Sequence, residues 1–397
     1  WIEKTNLSSE KKEKFNTFLK VGFPTTKDEE WKYTSLKKIV SQDYNINEIG
    51  GEISLDKIKK YSLGIDDKII FIDGALVSQP TIKKISISNY TNFESNESDS
   101  ISKLNSSLSK NGYTISVDNN CIVNKPIEIL FLNTIEGCFT QYRNILSVGE
   151  NSEVKFVEKI QNIDCNTSFT NHFTKINCEK NSKVEYNKIQ NNTEKSRLID
   201  RTDVYQKQDS SCNVNTLIFN GEFIRNNLNF EQNGSNIESN MHGVSVLDNN
   251  QLVDNHTFVD HKSAHCRSNE IYKGIYLNNS TGVFNGKIMV RKNAQKINAF
   301  QANNNLLLSE NATINTKPQL EIYADDVKCS HGCTIGQLDE DALFYMRTRG
   351  IKLNEAKAIL TYAFADDAIS KITIKEVSLL AKKLLAKKLN VDLDFSS

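Results

Sequence analysis

Asn151-Ser152-Glu153-Val154-Lys155-Phe156-Val157 is a small polar turn running directly into an alternating strand, and the chain repeats the device. It returns at Asn181-Ser182-Lys183-Val184-Glu185-Tyr186 and Ser211-Cys212-Asn213-Val214-Asn215, then at Gly234-Ser235-Asn236-Ile237 and Thr281-Gly282-Val283-Phe284. Asn293-Ala294-Gln295-Lys296-Ile297 and Asn311-Ala312-Thr313-Ile314 continue it, with proline almost absent. Alternation of period two between turn residues marks strands. An irregular repeat of turn plus short strand predicts a solenoid of β-coils, each rung burying its inward side chains against the next. A β-sandwich has similar strand spacing, but a strand-rich stretch beyond roughly 200 residues favours the β-helix.

The flanks read differently. Phe15, Phe18 and Leu19 form one apolar face after the Ser8-Ser9 start signal, and Gly22 with Pro24 closes that helix. Lys68-Ile69-Ile70-Phe71-Ile72-Asp73-Gly74 reads as a buried strand entering a turn, and the Ser/Asn-rich stretch from Ser95 to Ser109 as a loop or linker. At the other end, Asn354 is placed to cap a helix whose apolar face is Ala356, Ile359, Leu360, Ala363 and Phe364. A capping box, Thr373-x-x-Glu376, opens a second helix with the stripe Val377, Leu380, Ala381, Leu384 and Leu385. Lys382, Lys383, Lys387 and Lys388 suit the negative end of its dipole. So small a pair cannot bury its stripes alone and is expected to pack on the solenoid end, on a partner, or on both. The predicted organisation is mainly β: a mixed helical domain (1–111), a β-helix core (112–345) and a C-terminal helical domain (346–397).

Composition narrows the function. Lys+Arg and Asp+Glu are equal at 49 each, which removes the basic excess expected of a nucleic-acid binder. No apolar run approaches the roughly 18 residues that would cross a bilayer, so a soluble protein with no membrane partner is expected. No signal-peptide core follows Trp1-Ile2-Glu3-Lys4, and the eight cysteines lack CxxC pairs, which fits free thiols in a reducing, cytoplasmic setting.

The densest group of metal-capable side chains is Asp325-Asp326-Val327-Lys328-Cys329-Ser330-His331-Gly332-Cys333. On a strand Cys329, His331 and Cys333 share a face; neighbours in that set lie roughly 6.6 Å apart, but the outer pair about 13 Å. Unless Gly332 bends the strand, Cys329 with His331 is the expected exposed, labile or partner-shared site, against the alternative of a buried thiol and a hydrogen-bonded histidine. A second group, His256, His261, His265 and Cys266, disperses over two strand faces and a turn, where hydrogen bonding is the simpler role. Gly282-Val283-Phe284-Asn285-Gly286-Lys287-Ile288 is one residue short of a phosphate loop and has Ile where Mg²⁺ needs a hydroxyl, so no ATP is expected on this chain. There is no Gly-x-Ser-x-Gly elbow and no His-Glu-x-x-His helix. Asp325 and Asp326, being adjacent, point opposite ways and make a poor glycosidase pair.

One resemblance covers most of the chain. Lys317-Pro318-Gln319-Leu320-Glu321-Ile322-Tyr323-Ala324-Asp325-Asp326-Val327-Lys328-Cys329-Ser330-His331-Gly332, with Leu343-Phe344-Tyr345-Met346-Arg347-Thr348-Arg349-Gly350-Ile351, closely resembles the C-terminal signature of the SufB/SufD family in its SufD form. Asp254-Asn255-His256-Thr257, Asp260-His261-x-x-Ala264-His265-Cys266-x-Ser268 and Glu30-Trp31-Lys32-Tyr33-Thr34-Ser35-Leu36 are similar to the same family. The resemblance implies a right-handed parallel β-helix with helical termini, acting without enzymatic activity as a scaffold in the SUF iron–sulfur cluster assembly complex. It implies a SufB-type partner, a SufC-type ABC ATPase on the C-terminal helices (Arg347, Arg349, Gly350, Ile359, Leu360, Phe364), and a homodimer as an alternative pairing. His331, with Cys329 beside it, would face a transient cluster or iron shared with SufB. Cys333 stands where a small residue is expected, so an added thiol or mere filling both fit. The implied location is the cytoplasm, or the plastid stroma in a plastid-bearing host. A β-helix carbohydrate-active enzyme and a non-catalytic structural β-helix are the alternatives.

Overall fold

The computed structural model describes residues 7–46, 53–90 and 99–391. From Tyr113–Val117 onward successive strands alternate between a nine-stranded and a ten-stranded sheet, and each pairs in parallel with the strand one coil away. This is a parallel β-solenoid. In-register columns run its length, for example Phe156, Tyr186, Val214, Met241, Glu270, Gln301 and His331. At the N-terminal end Ala75–Ser78 and Ile85–Asn89 add to the sheets in antiparallel fashion.

The repeated turns explain the repeated Asn. Asn120, Asn151, Asn181, Asp209, Asn236, His265 and Lys296 adopt left-handed backbone at successive corners, with φ between 54° and 62°, a conformation that Asn and Asp tolerate best among side-chain-bearing residues. Asn151 Nδ2 donates to Asn120 Oδ1 at 3.1 Å and Asn181 Nδ2 to Asn151 Oδ1 at 2.9 Å, so the corner is also a side-chain ladder. Inward residues such as Val154, Phe156, Val184, Val214 and Met241 form the main core inside the coil.

Helices from the two termini cover opposite outer faces. Phe15, Phe18, Trp31, Ile101 and Leu104 pack on Phe139, Phe169, Ile199 and Phe223 of the nine-stranded sheet. On the ten-stranded sheet, Ala365, Ile369, Val377, Ala381 and Leu385 cover Val157, Ile189, Leu217, Val244 and Ile275. The C-terminal pair therefore packs on the flank of the solenoid and not on its end, because the flank offers a ready apolar sheet face. Among the described residues no helix is long and apolar enough to cross a membrane.

Several local expectations change. Ser9–Val21 is helical, capped by Ser8 and ended by Gly22 at φ 73°, but Leu19 is half exposed and Phe15 with Phe18 carries the packing. Within the predicted loop, Ser100–Leu108 is a helix capped by Asp99, while 95–98 lie outside the described residues. Its serines fit because Ser106 and Ser107 donate to carbonyls within the helix, and Asn105 Nδ2 donates to Tyr142 O and Asn171 O of the sheet. Asn354 lies inside the helix Leu353–Ile369, which Lys352 precedes as cap. Thr373 does not cap Lys375–Lys388; its hydroxyl and N–H go to the Glu185 carboxylate, a tertiary bond that outcompetes the local one.

Candidate functional site

The coil ends on two edge strands, Thr313–Ile322 and Val327–Gly336, one terminating each sheet. Among the described residues neither has a strand beyond it; Lys317 of the first pairs with Glu29 of the N-terminal segment, and the side chains of both strands are half-buried or exposed. Alternation sends Cys329, His331 and Cys333 inward to the mouth of the coil. Cys329 packs against a cluster including Cys266, Ile297 and Ala299, and burial pushes its thiol above the ordinary value. Cys333 reaches the opposite sheet, donating to Thr316 Oγ1 at 3.4 Å. His331 between them is exposed. The three thus share the mouth without converging as one metal-binding triad, in keeping with strand geometry. Asp326 is held by the Lys296 ammonium and Asp325 is exposed, so the adjacent acids are not paired with each other.

The His256, His261, His265 and Cys266 group separates completely. His256 has both ring nitrogens engaged, Nδ1 with Glu30 Oε2 at 3.0 Å and Nε2 with Asp254 Oδ1 at 2.8 Å. The hydrogen bond from His256 holds the Glu30 carboxyl below its usual value. Arg225 bonds Asp254 and the Glu30 carbonyl while its guanidinium lies 3.9 Å from the centre of the Trp31 ring, and Thr34 bonds Asp254. The Glu30-Trp31-Lys32-Tyr33-Thr34 segment and the Asp254-Asn255-His256 strand are therefore two halves of one joint between the N-terminal helices and the solenoid. His261 is buried, bonded through Nε2 to Ser268 Oγ at 3.0 Å and lowered to about 4 by burial. His265 is a corner residue at φ 62°, and buried Cys266 donates to the Gly234 carbonyl.

A metal-capable group that sequence reasoning missed lies deep in the lumen: Glu158, His172 and Asp200, all buried, with ligand atoms within 4.8 Å of one another. His172 Nδ1 is 3.4 Å from Asp200 Oδ2 and 3.6 Å from Glu158 Oε1. Lys188 already supplies a cation, bonding Asp200 and Thr202, and Tyr186 donates to Glu158. Burial alone would raise Asp200, but the Lys188 ammonium and His172 bring it down to about 2. Only register could have revealed the set, since the ten-stranded sheet supplies Glu158 and successive coils of the other sheet supply His172 and Asp200.

Gly282 and Gly286 sit in the strand Thr281–Val290 and form no phosphate loop. A Cβ at Gly282 would lie 2.3 Å from the Tyr276 ring, and one at Gly286 2.3 Å from Gln301 Nε2. Close approach inside the coil explains both.

On the C-terminal helices the buried face of Leu353–Ile369 is Ala356, Ala358, Thr361, Ala365, Ala368 and Ile369, not the larger side chains expected. Small residues let this helix lie close to the sheet. Ile359 is 38 % exposed, Ala363 is exposed, Leu360 is half-buried, and half-buried Phe364 lies under the Lys273 ammonium at 4.7 Å. Arg347 and Arg349 are exposed, Arg349 stacking on Tyr345, while Gly350 at φ 87° ends the preceding helix. Phe344 and Tyr345 are among the most exposed large side chains.

Comparison with known proteins agrees with this architecture. The chain matches the family described as SUF system FeS cluster assembly, SufBD core domain, over residues 131–364, and the SufBD protein N-terminal region over residues 3–68. It is 29 % identical to the iron–sulfur cluster assembly protein SufD of Escherichia coli over 378 residues, covering 91 % of this chain and 88 % of that protein. A SufBD family protein of Synechocystis, slr0076, is 28 % identical over 88 % of this chain and 84 % of its own length. The chloroplastic protein ABCI7 of Arabidopsis thaliana is 32 % identical over 66 % of this chain and 57 % of its own. This solenoid, flanked by helices from both termini and carrying both family regions in order, belongs to the SufBD family of iron–sulfur cluster assembly proteins, as a member of SufD type.

Proposed function

We propose that this chain is a non-enzymatic scaffold subunit in which iron or a nascent iron–sulfur cluster is cargo, assembled at the open rung against a SufB-type subunit. The observation that carries the reading is the coincidence of a bare sheet edge with Cys329 and His331. An unpaired edge invites strand addition from another chain, which would bring further donors over the mouth. A thiol and an imidazole suit iron–sulfur chemistry but are too few to close a site, so the remaining ligands come from the partner. A second copy of this chain is the competing occupant of the edge.

Energy would come from a SufC-type ATPase docked on the exposed side of the C-terminal helices, where Arg347, Arg349, Ile359, Phe344 and Tyr345 are available. The cytoplasm is the proposed location; the chloroplastic relative extends this to the plastid stroma in a plastid-bearing host.

His331→Ala tests the site. The expected outcome is an unchanged fold and a cluster yield reduced several-fold in the reconstituted complex; full yield overturns the role. For the ATPase, removing 350–397 would also strip cover from the ten-stranded sheet, so the sharper test is Ile359→Glu, expected to abolish ATPase capture while leaving the melting temperature unchanged. Undiminished capture counts against this face.

A further inference from the structure

The column behind His331 contains a buried amide with an unmet need. Register stacks Glu270, Gln301 and His331 on three successive strands of the ten-stranded sheet, one strand spacing of about 4.8 Å apart at each step. Glu270, 1 % exposed, accepts from Thr257 Oγ1 at 2.6 Å and from Gln301 Nε2 at 2.8 Å. While Glu270 is ionised, that second bond sets which way round the Gln301 amide sits, since a carboxylate accepts and does not donate. The other end of the same amide, Gln301 Oε1, is buried on a side chain of 0 % exposure and has no partner. Space for the amide is provided by Gly286 on the facing sheet, where a Cβ would come within 2.3 Å of Nε2. The next side chain along the column is the imidazole of His331, whose ring N–H is a donor.

We propose that Gln301 is a positioning residue for His331: its Oε1 takes one ring N–H, which fixes the tautomer and leaves the lone pair of the other ring nitrogen free at the mouth of the coil. Glu270 holds the amide in that sense, and Gly286 makes room for it. The functional value of the arrangement rests on His331 being a cargo ligand, as read above. An imidazole oriented through its second nitrogen is the usual condition for ligation, and loss of such an orienting contact typically lowers metal affinity by 10- to 100-fold.

The test is ¹⁵N nuclear magnetic resonance of the full chain with labelled histidine, the His331 signals being assigned by their loss in His331→Ala. In alkaline buffer the unaltered chain is expected to show one tautomer, with two well-separated ring-nitrogen signals. Gln301→Leu should collapse them toward an average, and Gly286→Ala, which displaces the amide while keeping both of its partners, should do the same. The double variant E270Q/Q301E exchanges donor and acceptor within the pair, keeps an oxygen facing His331, and should restore the single tautomer. An averaged tautomer in the unaltered chain, or a Gln301→Leu spectrum identical to it, overturns the proposal. The readout is independent of cluster yield. If the tautomer behaves as stated and His331→Ala still assembles cluster fully, the ligand role of His331 fails while its positioning stands.

Discussion

Glu158, His172 and Asp200 in the closed lumen and Cys329, His331 and Cys333 at its mouth are drawn from the same short set of metal-capable side chains, yet the fold treats them in opposite ways. In the lumen every member is answered from within the chain: Lys188 and His172 by Asp200, Glu158 by Tyr186, and His172 Nε2 by Asn144 at 2.8 Å. At the mouth, among the described residues, no further strand pairs with Val327–Gly336, and His331 is exposed. Proximity of ligand-type residues is therefore a weaker sign of function here than the lack of an internal partner. Charges inside the coil are paired with one another, whereas His331 at its end is exposed.

The largest test of that contrast removes the lumenal cation. Lys188→Met leaves buried carboxylates without their counter-charge and is expected to cost about 3–5 kcal/mol in denaturant unfolding, as breaking one side of a buried pair does. His331→Ala, at an exposed position, is expected to stay within about 0.5 kcal/mol. If both variants unfold alike, the division between lumen and mouth is wrong.

Acid should separate the regions next. Buried His261 is lowered to about 4 against an ordinary 6.5, so between those pH values the unfolded chain takes up a proton that the folded chain refuses. Stability must then fall as pH drops from about 6.5 to 4, by about 3 kcal/mol from this residue. His261→Gln should flatten the limb by that amount in denaturation at stepped pH, although His242, lowered to about 4 by burial, keeps part of the slope. Glu270 works in the other sense: burial raises it to about 7, so its contribution is present below its unfolded value and lost as pH rises through 7. Glu270→Gln should remove that loss, which runs from about pH 4.5 to 7 and opposes the His261 limb.

The solenoid was legible because its corners are written in Asn. Left-handed backbone at Asn151 and Asn181 needs a residue that tolerates it, and a coil must turn at every rung, so the requirement recurs visibly along the chain. The spacing of Cys329, His331 and Cys333 along one strand was legible for a related reason, since each step of two residues advances a fixed distance. What stayed hidden depends on register or on tertiary competition. The set Glu158, His172 and Asp200 is assembled across two sheets, Thr373 is drawn to Glu185 instead of capping its own helix, and serine content masked the apolar stripe Ile101, Leu104 and Leu108. The C-terminal helix was misread by size: Ile359 and Leu360 looked like its core face, whereas alanines meet the sheet.

Glycines give a finer version of the same comparison. Gly282→Ala drives a methyl group to 2.3 Å from the Tyr276 ring, whereas nothing lies within 4 Å of a Cβ at Gly332. Overpacking of this kind costs about 1–3 kcal/mol. Gly332→Ala should be neutral in the same unfolding assay, within about 0.5 kcal/mol. A costly Gly332→Ala would mean that the end rung is packed more tightly than its exposure indicates.

The smallest expected effect on stability is also the most pointed. Ile335 lies on the edge strand Val327–Gly336, 51 % exposed and, among the described residues, with no strand beyond it. An apolar side chain on a bare edge is a hazard unless another chain covers it, and lysine on an edge is a common device for preventing such pairing. Ile335→Lys should therefore leave the unfolding free energy within about 0.5 kcal/mol of the parent while abolishing association through this edge, measured by sedimentation with a SufB-type subunit and with the chain alone. Loss of only the mixed complex would identify the heterologous partner as the occupant of the edge, and loss of only a self-association would identify a second copy. Undisturbed association in both would move the interface away from the mouth, and the openness of the last rung would then need another cause.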